Sequence, residues 1–154
     1  MIALADTLRP ECVRLALTAT EGKNAIDEVA ALLETTPAVL DWEELQAGLH
    51  RSAPCLAENE ASFAICLPHA RTDAVNKMVM AAGRSLSGVT FGHGPLPVRY
   101  IFCIGVPKAM ANDYLRIVGL LARVLKEPAK ESQLAAAATP MEFIQILSVL
   151  EAKL

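Results

Sequence analysis

A histidine and an arginine separated by one residue are the side chains of this chain best suited to chemistry. They end the segment Phe63–Arg71, which reads Phe-Ala-Ile-Cys-Leu-Pro-His-Ala-Arg. Neutral imidazole is nucleophilic near pH 7, and a guanidinium carries a permanent charge and a planar fork of donors that matches phosphate. His69 and Arg71 therefore indicate a nucleophile that accepts an anion, with phosphate favoured. The ordinary alternative is a surface or capping histidine beside an arginine in a surface salt bridge.

The residues before His69 predict how the imidazole is positioned. Phe63–Leu67 is a short apolar run, which is typical of a buried strand. Pro68 fixes its own φ and has no N–H to donate, so we expect the chain to leave the sheet there. His69 is then expected just past a strand end, on backbone that the strand anchors and the proline stiffens.

The periodicity of apolar residues predicts the elements around this segment. Besides the run at 63–67, strands are expected over residues 11–17, 75–86 and 98–106. Helices are expected over residues 20–35, 41–51, 112–126, 129–138 and 141–150, with Thr20 and Asp41 as the first two N-caps. This order predicts an α/β fold with a mixed central sheet flanked by helices on both faces.

Several local expectations accompany these elements. Pro10 is expected to precede the first strand, and the chain is expected to leave the core from Arg84 onward. Residues 53–62 read as a loop. The helix at 112–126 is apolar enough to be packed on most of its sides.

Composition limits the class of protein. The chain has 154 residues, 53% of them hydrophobic and 20% charged, which predicts one globular domain over residues 1–154. The net charge of −3, without a basic stripe, argues against nucleic-acid binding. The first residues lack the features of a signal peptide, and the apolar runs are too short to span a bilayer. A soluble cytoplasmic protein is expected.

The cysteines and the other two histidines offer little chemistry of their own. None of the four cysteines has CxxC spacing, and Cys66 and Cys103 lie in apolar runs as small core residues do. Cys66 and His69 could be two metal ligands, but no second pair accompanies them, so no metal site is expected. His50 reads as a solvated residue at a helix end, and His93, between two glycines, as an exposed loop residue.

Taken in order, the chain resembles the enzyme IIA domains of the fructose/mannitol class of the bacterial phosphotransferase system, including the nitrogen-regulatory relatives. The residues that carry this resemblance are Ala64–Arg71, Gly88–Phe91, Pro97–Val98, Ile101–Phe102, Val106–Pro107 and the Leu115–Leu125 pattern. The segment Ala64–Arg71 matches the family's Ile-Ala-x-Pro-His pattern with Cys66 in place of the alanine. Tyr114 stands where the family usually has a second histidine, and residues 58–62 replace a loop that is usually glycine-rich.

The resemblance implies both a fold and a function. The fold is an α/β sandwich with a mixed sheet between helices. His69 is implied to accept a phosphoryl group from the phosphocarrier protein and to pass it to a IIB partner or to use it as a regulatory signal. In that mechanism Arg71 gives electrostatic support, and Tyr114 orients the ring or caps a phosphate oxygen, without any metal or nucleotide cofactor.

Two alternatives from other classes stay open at this point. One is a regulatory module with the same fold that binds a target protein independently of phosphorylation. The other is a hydrolase that uses Cys66 or His69, although no acid or base partner at a readable spacing accompanies either residue. For Tyr114 itself, the ordinary reading is a packed aromatic residue on a helix.

Overall fold

The structure is a computed structural model that describes residues 3–52, 56–58, 64–92 and 97–153. Its strands are Leu8–Arg14 (β1), Leu56–Glu58 (β2), Ala64–Cys66 (β3), His69–Arg71 (β4), Val79–Val89 (β5) and Val98–Val106 (β6). Its α-helices are Leu4–Thr7 (α1), Gly22–Ala30 (α2), Trp42–Ser52 (α3), Ala111–Lys126 (α4), Pro128–Ala136 (α5) and Pro140–Ala152 (α6). Short 3₁₀ turns cover Ala31–Leu33 and Lys108–Met110.

The strands form one mixed sheet, which confirms the predicted fold class. Its order is β1-β5-β6-β3-β2, and β4 pairs with β6 beyond the end of β3. The pairs β1–β5, β3–β6 and β4–β6 are parallel, whereas β5–β6 and β2–β3 are antiparallel. β6 is the central strand and has the predicted bounds, because its apolar run is covered on both faces.

Helices cover both faces of the sheet, and the alternation of side chains along β6 shows which helix lies where. Tyr100 and Phe102 point to one face and stack near Phe143 of α6, with ring centroids 6.4 and 6.5 Å apart. Gly105 belongs to the opposite face, where a Cβ added to it would meet Leu45 of α3. The core is thus divided into two layers by the sheet.

The first strand begins earlier than predicted. Pro10 lies inside β1 rather than before it, and the pairing with β5 shifts between Leu8 and Val13. β1 is an edge strand, where a missing N–H can face away from the sheet, so the proline is tolerated. The expectation of a strand at residues 11–17 was therefore wrong at both ends.

β5 is displaced in the other direction. It was expected over 75–86 but spans Val79–Val89, and Arg84 is buried in it instead of leaving the core. Pairing with β6 shifts register between Arg84 and Val89, where Gly88 has a φ of 92°. Glycine adopts this left-handed conformation without a steric penalty, so the strand continues past the irregularity.

The helices agree with the predictions more closely than these two strands do. Asp41 caps α3 by accepting the Glu44 N–H at 3.1 Å, as expected. The N-cap of α2 is Glu21 rather than Thr20, because the Glu21 carboxylate accepts the main-chain N–H groups of Lys23 and Asn24. Leu115 of α4 is 63% exposed, but only positions 112, 115, 119, 123 and 126 of this helix are exposed, which agrees with the expectation that it is packed on most sides.

Two smaller expectations also need correction. The segment expected to be a loop at 53–62 contains the short strand β2. His50 is not simply a solvated helix end, since its Nε2 lies 2.6 Å from the Asp27 carboxylate of α2. Within the described ranges no helix is both long enough and apolar enough to cross a membrane.

Candidate functional site

The segment around Pro68 stays in the sheet, contrary to the sequence prediction. β3 ends at Cys66, but pairing with β6 resumes at His69, which lies opposite Ile104 in the parallel register. Pro68 lacks only the N–H donor, and its carbonyl still accepts the Ile104 N–H at 2.9 Å. Because β6 is long enough to pair with β3 and then β4, the proline interrupts the ladder without ending it.

This pairing determines which side of the sheet the candidate residues face. His69 and Arg71 lie opposite Ile104 and Val106, so both point to the face that α4 covers. There the imidazole of His69 lies against the ring of Tyr114, with centroids 4.9 Å apart and planes tilted by 34°. The structure therefore brings together the three residues that the sequence analysis singled out.

An open pocket of about 270 Å³ lies over these residues. It is lined by His69, Arg71, Val106, Ala111, Tyr114 and Leu115. His69 itself is only partly buried, so the imidazole is not turned into the interior of the protein. Apart from these polar side chains, the walls of the pocket are apolar, which limits the access of water to a group held inside it.

The hydrogen bonds of His69 assign different roles to its two ring nitrogens. Nδ1 lies 3.1 Å from the carbonyl oxygen of Leu67. A carbonyl oxygen can only accept, so Nδ1 carries the proton, and in the neutral ring Nε2 keeps the lone pair. Within the described residues no hydrogen bond occupies Nε2. The main-chain N–H of His69 donates to Ser52 Oγ at 2.8 Å.

In the ranges that the structure describes, only one nitrogen of the Arg71 guanidinium is hydrogen-bonded to the protein. Its Nε donates to the carbonyl of Lys108 at 3.1 Å, while the side chain is exposed at the rim of the pocket. The main-chain N–H of Lys108 lies 3.4 Å from Asp73 Oδ1, which ties the same loop to the turn after β4. Among the described residues Arg71 forms no salt bridge, and its two terminal nitrogens remain available for an anion.

The first turn of α4 borders the same pocket through Ala111. The N-cap is Met110, whose side chain makes no capping hydrogen bond, so the first N–H groups of the helix have no side-chain acceptor there. The positive end of the helix dipole favours an anion near these groups. The site thus combines an imidazole nitrogen without a hydrogen-bond partner among the described residues, a guanidinium and a helix N-terminus.

The other candidate groups do not join this site. Cys66, which the sequence left open as a hydrolase nucleophile, is fully buried and pairs with Ile101, so it lies on the face of the sheet opposite to His69. Burial also raises the pKa of the Cys103 thiol well above its ordinary value. A protonated and enclosed thiol is a poor nucleophile. In the described part of the chain no three potential metal ligands cluster together. His93 lies outside the described residues.

Sequence reasoning missed the groups that hold the candidate residues. Ser52 lies 17 residues before His69, and the carbonyl of Lys108 lies 37 residues after Arg71. Neither contact follows from spacing or residue type, because each depends on how α3 and the loop after β6 pack. The only signal for Ser52 is its place directly after the helix predicted over residues 41–51.

Comparisons with known proteins define the fold first. The crystal structure of nitrogen regulatory protein IIA-Ntr from Neisseria meningitidis is similar with a TM-score of 0.79 and 21% identity, covering 94% of this chain and 98% of that one. The enzyme IIA of the mannitol system of Escherichia coli, solved in a complex with phosphorylated enzyme IIB, has a TM-score of 0.73 and 20% identity, covering 92% and 99%. The fold is that of phosphotransferase enzyme IIA proteins.

Sequence comparison then identifies the family. The model for the family described as phosphoenolpyruvate-dependent sugar phosphotransferase system, EIIA 2, matches residues 6–149, and the chain belongs to this family. The fructose-specific EIIA component of Haloferax volcanii is 38% identical over 82 residues, which is 52% of this chain. The matched region spans 53% of that relative's own length. The resemblance noted from Ala64–Arg71 and the later segments is thereby confirmed.

Proposed function

We propose that this protein is a phosphoryl carrier of a sugar phosphotransferase system and that His69 Nε2 is the atom that carries the phosphoryl group. The observation that supports this most is the hydrogen bond from His69 Nδ1 to the Leu67 carbonyl. It leaves the lone pair on Nε2, in a residue that lines an open pocket with Arg71. A lone pair in a defined direction is what in-line phosphoryl transfer requires.

The transfer step can be written with the residues of this site. The Nε2 lone pair attacks phosphorus, the new N–P bond forms, and the bond from phosphorus to the donor breaks with its electron pair returning to the donor. The ring then carries a positive charge shared with Nδ1–H. The Leu67 carbonyl, which already accepts this N–H at 3.1 Å, stabilises that charge. The reverse sequence returns the phosphoryl group to an acceptor.

Stabilisation of the negative charge of the phosphoryl group is assigned to two features, and Tyr114 has a separate role. Arg71 offers its terminal N–H groups from the rim while its Nε stays bonded to the Lys108 carbonyl. The first turn of α4 offers main-chain N–H groups and a positive dipole end. Tyr114 packs against the imidazole and limits its rotation. Transfer between two proteins then needs positioning and charge stabilisation more than covalent help.

The family suggests the partners. We propose that the donor is the phosphocarrier protein and that the acceptor is a IIB domain or a regulatory target. The complex of the mannitol enzyme IIA with phosphorylated IIB supports the IIB assignment. The fructose-specific name of the Haloferax relative and the nitrogen-regulatory name of the Neisseria protein support a sugar-specific and a regulatory use respectively. The proposal places this exchange in the cytoplasm and in one domain over residues 1–154.

Incubation with a phosphorylated phosphocarrier protein tests the proposal. We expect intact-mass measurement to show a gain of one phosphoryl group that is stable in alkali and lost in acid, as a phosphohistidine is. His69→Gln should abolish this gain. His50→Gln is the matched control, since His50 is also partly buried but is bonded to Asp27 away from the pocket, and it should keep the gain.

Two outcomes would decide against this function. Native protein that gains no phosphoryl group from any carrier tested would favour the alternative, a regulatory module that binds its target independently of phosphorylation. An adduct that persists in His69→Gln and disappears in His50→Gln would place the carrier nitrogen elsewhere. Both variants must also melt near the native temperature, because an unfolded variant would fail to gain a phosphoryl group for a different reason.

A further inference from the structure

The main-chain N–H of His69 points away from β6, toward the other edge of β4. The ladder with β6 uses the Pro68 carbonyl, which accepts from Ile104 at 2.9 Å, and the Thr72 N–H, which donates to Val106 at 2.7 Å. In a parallel ladder alternate residues face the same neighbour. Residues 68, 70 and 72 therefore face β6, and residue 69 faces the opposite edge. Among the strands of the described residues β4 pairs only with β6, so none of them offers an acceptor on that edge.

Ser52, the last residue of α3, supplies the missing acceptor. Its Oγ accepts the His69 N–H at 2.8 Å and donates its own proton to the Leu49 carbonyl at 2.9 Å. The second bond fixes the direction of the hydroxyl, because its only hydrogen is committed to Leu49. A lone pair of Oγ is therefore held toward His69.

α3 is itself held tightly against β4. A Cβ added at Gly48 would lie 2.7 Å from the Cβ of Ala70, so only glycine allows the helix to approach this closely. On its other side α3 is joined to α2 by the contact of His50 with Asp27 at 2.6 Å. Ser52 thus projects from a helix with little freedom to move relative to the residue that it contacts.

We propose that Ser52 is a positioning residue for His69, an inference that rests on the proposed carrier function. His69 is anchored by two hydrogen bonds, one from its main-chain N–H to Ser52 and one from Nδ1 to the Leu67 carbonyl. The first fixes the backbone from which the ring extends, and the second selects the tautomer. Loss of the Ser52 acceptor leaves a partly buried N–H without a protein partner and lets residues 67–69 shift, which weakens the second bond.

The experiment compares Ser52→Ala and Ser52→Cys, which remove the oxygen acceptor, with Ser52→Thr, which restores a hydroxyl. Ser132→Ala is the matched control. Ser132 also donates to a carbonyl of its own helix, that of Pro128 at 2.9 Å, but it lies exposed on α5. Two quantities are measured: the rate of phosphorylation by a phosphorylated phosphocarrier protein, and the ¹⁵N chemical shifts of the His69 imidazole in the unphosphorylated protein.

We expect Ser52→Ala and Ser52→Cys to slow phosphorylation by about tenfold, because small misplacement of a nucleophile has effects of this order or larger. The fraction of the Nδ1–H tautomer should fall in both. Ser52→Thr should stay within about twofold of native, and Ser132→Ala should match native in both measurements.

Two results would overturn the proposal. One is a native rate and a native tautomer fraction in a folded Ser52→Ala or Ser52→Cys protein. The other is Ser52→Thr as slow as Ser52→Ala while both melt at the same temperature, which would assign the loss to packing. If native protein accepts no phosphoryl group, the carrier function fails, yet the tautomer measurement still decides the role of Ser52.

Discussion

Two arginines on the α4–α6 face of the sheet lie in opposite situations. Arg84 of β5 is buried and donates to four main-chain carbonyls, those of Leu15, Leu134, Ala135 and Ala137. Arg71 of β4 is exposed and donates to one, that of Lys108. A guanidinium has five N–H donors, so the first is used mainly by the protein and the second remains largely available.

The difference separates a structural cation from one that is suited to a ligand. Arg84 joins the C-terminal end of α5 to the connection after β1, and its charge is balanced there by carbonyl dipoles. Arg71 is fixed at Nε alone, which orients the fork toward the pocket but leaves its terminal nitrogens unsatisfied by the described residues. The comparison predicts that substitution of Arg84 lowers stability, whereas substitution of Arg71 lowers transfer.

The largest expected effect is on stability at Arg84. Arg84→Met keeps the length of the side chain but leaves buried carbonyls without donors. We expect the free energy of unfolding to fall by about 3 kcal/mol, the upper range for a buried group left unsatisfied. Urea denaturation measures this change. Arg123→Met on the exposed side of α4 is the control and should stay within about 0.5 kcal/mol of native.

A loss below about 1 kcal/mol in Arg84→Met would contradict this assignment, since water would then replace the guanidinium at the carbonyls. If the variant folds, its phosphorylation rate per folded molecule should equal the native rate.

The second effect is on transfer at Arg71. Arg71→Gln should lower the phosphorylation rate by about 100-fold, as the loss of one preorganised donor to a transferring group does. Arg71→Lys keeps the charge but not the fork, and about a tenfold loss is expected. Stability should change by less than about 0.5 kcal/mol, because the side chain is exposed.

Arg9→Gln serves as the control for Arg71, since Arg9 is an exposed arginine on the far edge strand, 3.7 Å from Glu11. It should transfer at the native rate. A native rate in Arg71→Gln would contradict the role of Arg71 in transfer. The helix N-terminus would then be the main group that stabilises the phosphoryl charge.

The sequence predicted the parts of the fold that local patterns determine. The bounds of β6 were correct because an apolar run lies between Pro97 and Pro107, both incompatible with its continuation. α4 begins one residue before its predicted start. The role of Pro68 was misjudged, because local chemistry shows that a proline cannot donate, but only the topology shows that β6 pairs on both sides of it.

The same limit applies to the site. The spacing of His69 and Arg71 was enough to place them on one face once β4 is a strand. Tyr114 was found only through the resemblance to a family, since nothing in its helical spacing points to an imidazole. Ser52 and Arg84 were missed, because a hydrogen bond between distant segments depends on tertiary packing that period and propensity do not describe.

The third prediction concerns Glu28, an acidic counterpart of Arg84 that anchors the same connection after β1. Its carboxylate accepts the Thr18 and Ala19 N–H groups at 3.1 and 2.9 Å and Arg14 Nη1 at 2.9 Å. Burial alone would raise the pKa of Glu28, but these hydrogen bonds outweigh it and hold the pKa below its ordinary value. The ionised form is therefore favoured in the folded protein.

A lowered pKa in the folded state gives stability that is present above the unfolded pKa of about 4.3 and is lost as pH falls through the folded value. Glu28→Gln should lower the free energy of unfolding by about 1 kcal/mol at pH 7. The gap between variant and native protein should narrow toward about pH 3. Glu34→Gln, an exposed substitution, is the control in urea denaturation across this range. A gap independent of pH would mean that packing, and not charge, is what Glu28 contributes.

The smallest expected effect is at Tyr114, where the contribution of the aromatic ring to the phosphorylation rate is compared with that of the hydroxyl. The ring lies 4.9 Å from the His69 imidazole, a contact whose value for aromatic pairs is about 1 kcal/mol. If Tyr114 acts mainly by limiting the rotation of the imidazole, Tyr114→Leu should slow phosphorylation about fivefold, while Tyr114→Phe should stay within about twofold of native. Single-turnover phosphorylation rates would measure both. A larger loss of rate in Tyr114→Phe than in Tyr114→Leu would contradict this order. The hydroxyl would then have the leading role, as a donor to a phosphate oxygen. Tyr114 would join Arg71 as a group that binds the phosphoryl group, in contrast to the structural Arg84.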